Sequence, residues 1–466
     1  MDCSHRRHLL LDARIVEDTY NAELTLGPVK KFSGNPLFGE DKPWEMRFDN
    51  LYANVIYDDE AHLYKCWYSP FVVDNSSRGL SRRQRHEREY RAPRNREMAI
   101  CYATSEDGIA WYKPELGIVE YERNSANNIL WRGNEGTRAL RAGPHGAGIF
   151  KDLRDPDPTR RYKALLKSEI LSVAFSADGI HWNPPIACPE ANSAGDTHNN
   201  AFWAPTLDEY VGMTRQWSKS FRRQVASTSS VDFLHWEETQ VVLEGSDRTH
   251  QTYAMPVFFH GGVYIGLVAI HDQDKDRVWT ELAWSPDTRA WQRVLPGTPL
   301  IPNGEGEGDY DWGCVYAAAC PVFLDDEIRL YYGGSDGLHT SWRNGFFCLA
   351  TLRSDGFAGY RASNEGTPAT ITTTPVFDGR GPLRVSADIA NGGEVVVRVL
   401  GDERQMLAES LPLADTVSDA KLRWRDDSAL DAIKMNLARL QFAFKEATVY
   451  SFLMEPSKDS EACRHR

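Results

Sequence analysis

One short turn pattern recurs through this chain and limits what it can fold into. Residues 103–111 read A-T-S-E-D-G-I-A-W, residues 174–182 read A-F-S-A-D-G-I-H-W and residues 283–291 read A-W-S-P-D-T-R-A-W. All fit A-x-S-x-D-x-x-x-W without a gap. Residues 227–236 (S-T-S-S-V-D-F-L-H-W) fit with one insertion, and residues 350–360 (A-T-L-R-S-D-G-F-A-G-Y) fit loosely, with Tyr360 in place of Trp. The copies begin at 103, 174, 227, 283 and 350, spacings of 71, 53, 56 and 67 residues. The pattern predicts a strand that ends in a tight turn. Ser and Asp side chains bond the turn backbone, Gly supplies a positive φ, and Trp opens the next strand.

Two more strand-like runs precede each copy, such as Leu51–Tyr57 with Leu63–Tyr68 before the first and Ala254–Phe259 with Val263–Val268 before the fourth. Asp-rich or Gly-rich turns separate them, as at Asp58-Asp59 and His260-Gly261-Gly262. About four strands per unit in five units is the signature of a propeller. A sandwich array would not repeat one turn at blade length, and β-helix coils are much shorter. The expected fold is all-β: a five-bladed β-propeller with a C-terminal β-sandwich-like domain.

The expected boundaries are an N-terminal strap or closing strand over 1–36, the propeller over 37–365, the sandwich over 366–456 and a tail over 457–466. In the sandwich, Leu383–Ile389 and Glu394–Leu400 alternate like half-buried strands, with Gly392-Gly393 as a hairpin turn between them. Ala438–Phe444 and Ala447–Leu453 are read as two further strands. An Arg-rich stretch over 71–97 interrupts the first unit and reads either as a solvated loop or as a lid or subunit contact.

The net charge of −13 argues against nucleic acid or an anionic membrane as the partner. None of the eight Cys forms a C-x-x-C pair, so metal-site spacing is missing. The only apolar stretch near the start is Leu9-Leu10-Leu11 with its neighbours, too short for a signal peptide, and the expected location is cytoplasmic.

In a propeller the first strand of each blade lines the central channel, so the residues just before those strands converge. They include Trp44, Asp49 and Asn50, then His145, then Asp196, His198 and Asn199, then His250 and Tyr253, then Asp311 and Trp312. Paired carboxylates, or a carboxylate and a His, are what glycosidic cleavage requires. Trp44, Tyr253 and Trp312 have faces on which sugars stack. Glu281, in an otherwise apolar strand, is a rival acid: burial there would raise its pKa, as a proton donor needs, or else it pairs structurally with Arg215 or Arg223.

These features resemble the five-bladed propeller glycoside hydrolases of families 32, 43, 62, 68 and 117, the invertase- and arabinanase-like group, over roughly residues 35–365. The resemblance implies an Asp on the first blade, matched by Asp49, and a second Asp from a later blade, matched by Asp196. The group's Glu acids are missing, and His250 stands at that place, similar to the His acid of family 117. The Arg154-Asp155-Pro156 triplet resembles an invertase motif but reads as a blade turn.

The resulting expectation is a glycosidase that trims a terminal sugar from a small oligosaccharide. The catalytic candidates are Asp49, Asp196, His250 and Glu281. The substrate-binding candidates are Trp44, Asn50, His145, His198, Asn199, Tyr253, Asp311 and Trp312. No cofactor is expected; His145, Asp196 and His198 are the set that would take a Ca²⁺, though no spacing demands one. The alternative is a non-catalytic carbohydrate- or protein-binding propeller. A sialidase-like enzyme ranks lower, because the turn has the wrong register for an Asp-box and no convergent Arg set is evident.

Overall fold

The computed structural model describes residues 7–76, 78–93, 96–133, 144–379, 381–426, 428, 430 and 437–455. The expected tail at 457–466, and Cys3 and Cys463, lie outside these residues. Nearly everything described is β-structure; the longest described helix is the five-residue Arg82–His86.

The first sheet is built on Asn54–Asp58, Leu63–Tyr68, Glu97–Ser105 and Ile129–Arg132, with Pro70–Val73 paired to the start of Glu97–Ser105 and Arg47–Phe48 paired to Pro70–Val73. The second holds His145–Lys151, Tyr162–Lys167, Leu171–Ser176 and Ile186–Ala187. The third holds Asn200–Ala204, Glu209–Trp217, Arg223–Ser230 and Gln240–Glu244. A fourth group runs from His250–Ala254 to Gln292–Val294, and a fifth from Cys314–Ala317 to Gly345–Arg353; the parallel pairing Val278↔Cys314 joins them. Neighbouring strands within each group pair antiparallel. Val263–Asp272 is buried at every position, because neighbouring groups cover both faces of its sheet; its sequence is correspondingly an apolar run rather than an alternation.

Four copies of the turn pattern fold alike. Asp107 Oδ1 accepts from the N–H groups of Ile109 and Ala110, both at 2.8 Å, and Ser105 Oγ accepts from Gly108 N. Asp178, Asp232 and Asp287 repeat the two acceptances from the residues two and three places on. The residue after each Asp is left-handed: Gly108, Gly179, Phe233 and Thr288 have φ of 74°, 80°, 64° and 66°. Phe233 tolerates this because its ring is wholly buried against Phe150, Phe175, Tyr210 and Trp236. The loose fifth copy departs from the expectation. Asp355 itself takes the positive φ, and its carboxylate turns to His260 and Ser451, both at 2.8 Å, and to Arg7.

Side chains tie each sheet to the next. Asp58 in the first accepts from Tyr162 Oη of the second at 2.9 Å, and Asp152 after the second sheet's first strand accepts from Tyr210 Oη of the third at 2.6 Å. Thr206 meets Tyr264 Oη at 2.6 Å between the third and fourth groups. Tyr331 Oη of the fifth group donates to Gly108 O of the first at 2.8 Å, and the first sheet's Trp111 packs edge-on against Tyr331 and Phe347. The contacts therefore run round in a ring, as a propeller-like fold requires. Asp155 lies between the first two strands of the second sheet and pairs with Lys163 and Arg160, consistent with the blade-turn reading of its triplet.

The N-terminal residues divide between two partners. Lys30–Lys31 and Phe38–Gly39 pair with Gly345–Arg353, whereas Arg7–Leu9, Val16–Tyr20 and Ala22–Leu26 join a nine-stranded sheet with the C-terminal strands. That sheet corrects the hairpin expected at Gly392-Gly393. Leu383–Leu400 is one long strand, and the glycines sit in a register shift between Ile389 and Glu394. Arg439–Met454 is likewise one strand, paired along its length with the first. Gly392 supplies a positive φ for a bulge rather than for a reversal.

Candidate active site

The chain approaches the site through a strained turn. Leu51 and Tyr52 are consecutive non-glycine residues with φ of 61° and 47°, and Tyr52 N bonds back to Asn50 O at 2.7 Å. Such conformations cost on the order of 1–3 kcal/mol each and persist where surrounding structure enforces them. Here the turn brings Asp49, Asn50 and Tyr52 to one place. Asn50 Nδ2 donates to Tyr52 Oη at 2.8 Å and to Tyr253 Oη at 3.1 Å.

Asp49 is held by Arg343 at 2.8 Å and Arg47 at 3.1 Å. Burial pushes its pKa up, but Arg343, Arg47, Arg96 and His145 outweigh burial and leave it below the ordinary Asp range. Arg343 is fully buried and also donates to Asp49 O, Asn50 Oδ1 and His339 O.

Asp196 arrives from the loop before the third sheet. Gly146 has φ of 58°, and the loop carrying Asp196 passes so close that a Cβ there would meet Thr197 O at 1.6 Å. Asn199 locks this approach by donating to Gly146 O, Gly195 O and Thr197 O. The result sets His145 Nε2 3.2 Å from Asp196 Oδ1. Tyr52 packs against both His145 and His198, each at 5.3 Å between centroids. His198 is neutral, its pKa pushed down to about 3 by burial. The carboxylates of Asp49 and Asp196 both act electrostatically on Tyr52, and both remain reachable, at 19% and 22% exposure, among otherwise buried groups.

Arginines from the third sheet complete the wall. Arg215 Cζ lies 4.4 Å and Arg223 Cζ 5.2 Å from the centre of the Tyr253 ring. Arg215 Nη2 donates to Tyr253 O at 2.6 Å and stands 4.0 Å from Asp196 through Nη1. His339 Nδ1 lies 2.7 Å from Tyr316 Oη, and the imidazole is kept neutral first by burial and then by Arg343.

Part of the 71–97 insertion closes over this mouth. Its helix docks through Arg85 on Glu40 and through His86 on Asp336 at 3.1 Å. Tyr90 lies beneath Arg47, 3.8 Å from ring centre to Cζ, packs on Trp342, and accepts from Arg96 at 3.0 Å. Residues 77, 94 and 95 of the insertion lie outside the described set.

Asp49, Asn50, His145, Asp196, His198, Asn199 and Tyr253 thus come together. The other candidates have different partners. Trp44 donates to Asn128 at 2.7 Å, and Asp311 pairs with Lys31 at 2.6 Å and Tyr332 at 2.8 Å. Trp312 stacks under Arg277. His250 sits between Asp247 and the Trp279 ring. Glu281 is fully buried and tied to Trp279 Nε1, Gly297 N and Arg293, so its ion pair is to Arg293 rather than to Arg215 or Arg223. As a mouth-facing set the arginines are not evident from the sequence, because Arg215, Arg223 and Arg343 lie at the ends of second and third strands or in the loop between them, away from the segments that precede first strands. Among the described residues no group of three or more His, Cys, Asp and Glu is arranged to hold a metal. Cavities of about 490 Å³ beside Arg361 and Asp388 and about 640 Å³ beside Ser227 and Glu237 open elsewhere, away from this chemistry.

No family model matches the chain, and no curated protein matches it. Solved structures similar to it include an N-acetylgalactosamine deacetylase from F. plautii in complex with blood group B trisaccharide, 12% identical, covering 71% of this chain and 96% of that one at a TM-score of 0.47. A glycosyl hydrolase from Bacteroides ovatus is 13% identical, covering 70% and 94% at 0.48. A structure from work on the GH130 family of mannoside phosphorylases, which contains glycoside hydrolases that target β-1,2 mannosidic linkages in Candida mannan, is 14% identical, covering 70% and 94% at 0.47. At TM-scores below 0.5 these likenesses assign neither fold nor function to the chain.

Proposed function

We propose that the chain is a glycoside hydrolase that removes a terminal sugar from a small oligosaccharide, working at the mouth of a five-bladed propeller over about residues 37–365, with the C-terminal strands as an accessory domain. The blade count rests on the five strand groups and on the ring of contacts that returns from Tyr331 to Gly108. The observation that carries the function is the presence near Tyr52 of two reachable carboxylates from different parts of the chain, one held by arginines and one by a His.

In this reading Asp49, kept ionised by its arginines, attacks the anomeric carbon or activates water there. The proton for the leaving oxygen is held between His145 Nε2 and Asp196 Oδ1 and leaves through the Asp196 carboxyl, because His145 Nδ1 faces Met98 Sδ at 2.7 Å. His250 and Glu281 serve the fold. The test is a product screen with furanoside, pyranoside and anhydrogalactose oligosaccharides, read by mass spectrometry for wild type, Asp49→Asn and His145→Ala. Sugar released by wild type and lost in both variants supports the reading. Full activity in Asp49→Asn overturns it, as does tight binding of an oligosaccharide with no product.

A further inference from the structure

The mouth holds more positive charge than a neutral sugar calls for. Arg47, Arg96, Arg215, Arg223 and Arg343 converge there, while the carboxylates facing them are Asp49, Asp196 and, 4.0 Å from Arg47, Asp74. Of the neighbouring imidazoles, His198 and His339 are held neutral, and His145 lies against Asp196. This excess sits in a chain whose overall charge is −13.

The pair over Tyr253 is the telling part. Arg215 and Arg223 share the faces of Tyr253 and Trp217, so two like charges are stacked on the same rings. Among the described residues no carboxylate lies within ion-pair distance of Arg223, whose nearest side-chain acceptor is the amide Gln251 Oε1 at 3.5 Å. The Nε of Arg215, of Arg223 and of Arg343 are buried with no hydrogen-bond partner, and Arg47 has both Nε and Nη1 in that state. Buried guanidinium N–H groups without acceptors are costly, and placing two together adds repulsion. An oxyanion between the two guanidinium groups meets their terminal N–H groups and removes the repulsion, because a carboxylate or phosphate matches the guanidinium fork.

We infer that the sugar cleaved here carries its own anionic group, a uronate carboxylate or an ester oxyanion, seated between Arg215 and Arg223 beside the scissile bond. The inference rests on the hydrolase reading and narrows its substrate class. It also sets the role of Arg223, which is only partly buried and reaches the ligand from the rim.

The test is calorimetric titration of the full chain with glucuronic and galacturonic acid against glucose and galactose, alongside a turnover screen of uronate-terminated and neutral oligosaccharides with and without inorganic phosphate. The expected result is at least tenfold tighter binding of the acids, a loss of that preference by about tenfold in Arg223→Met, and partial retention in Arg223→Lys. Equal binding or cleavage of acidic and neutral sugars, unchanged in Arg223→Met, overturns the inference and leaves the hydrolase reading standing. Turnover of neutral sugars only when phosphate is present also overturns it, by moving the anion from the substrate to a co-substrate. Silence from every sugar in both assays overturns the hydrolase reading and the inference together.

Discussion

Asp49 and Asp58 bracket the same stretch of the first sheet and are both acids set among cations, yet they solve the problem differently. Asp58, almost wholly buried, accepts from Lys65 at 2.6 Å, Lys151 at 2.8 Å, Tyr162 at 2.9 Å and Glu60 N at 3.1 Å, so its oxygens are filled, and Lys151 turns its remaining bond to Glu60 at 2.6 Å. Asp49 is gripped by arginines that keep N–H groups in hand, beside a backbone in two successive left-handed conformations. A closed network of this kind stabilises the junction between two sheets. An open one, with donors left over and strain stored nearby, is what a site awaiting a ligand looks like.

Exchanging each acid for its amide is the sharpest way to break this contrast. Asp49→Asn is expected to lower turnover by on the order of 10³-fold while the fold survives, since Arg343 keeps acceptors in Asp49 O, Asn50 Oδ1 and His339 O. Asp58→Asn is expected to leave kcat within about twofold but to cost about 2–3 kcal/mol in urea unfolding, because two lysines lose their carboxylate. The reverse outcome, stability lost at Asp49 and activity lost at Asp58, would dissolve the distinction. Tyr90→Ala uncovers Arg47 and is expected to raise KM by about tenfold with little change in melting temperature. Tyr210→Phe removes the bond to Asp152 across the second and third sheets and is expected to cost about 1 kcal/mol with kinetics unchanged.

The two acids also separate by pH. Asp58 has its pKa depressed, since its lysine and tyrosine bonds outweigh the opposing effect of burial. The stability it adds is fully present above the unfolded Asp pKa, about 3.9, and is lost as pH falls through the lower folded value. The stability gap between wild type and Asp58→Asn should therefore stay level down to about pH 4 and shrink below it. The depressed pKa of Asp49 predicts instead an acid limb of kcat/KM below the ordinary Asp range. A limb at or above that range would separate Asp49 from the nucleophile or base.

The turn motif was readable because its chemistry is local: Ser105, Asp107 and Gly108 bond one another across three residues, and the same letters recur. The convergence of Asp49, His145 and Asp196 was readable because first strands line a channel in any propeller. Arg215, Arg223 and Arg343 were not, since their convergence depends on where later strands end in space. A scan of the mouth-facing ends of every strand would have found them. Gly392-Gly393 misled for a different reason. A glycine pair fits a bulge as well as a reversal, and only the pairing of Leu383–Leu400 along Arg439–Met454 decides between them.

Lys30–Lys31 and Phe38–Gly39 find their partners only in Gly345–Arg353, some three hundred positions downstream. During synthesis, at roughly 5–20 residues per second, those early segments wait on the order of 15–60 s with unpaired edges before the last group emerges. The circle is thus clasped late, by its earliest-made piece, and the intervening sheets must hold their shape as an open arc until then. Cutting the chain between the clasp and the first sheet, near Lys42, is the lesion to which such an assembly line is most exposed.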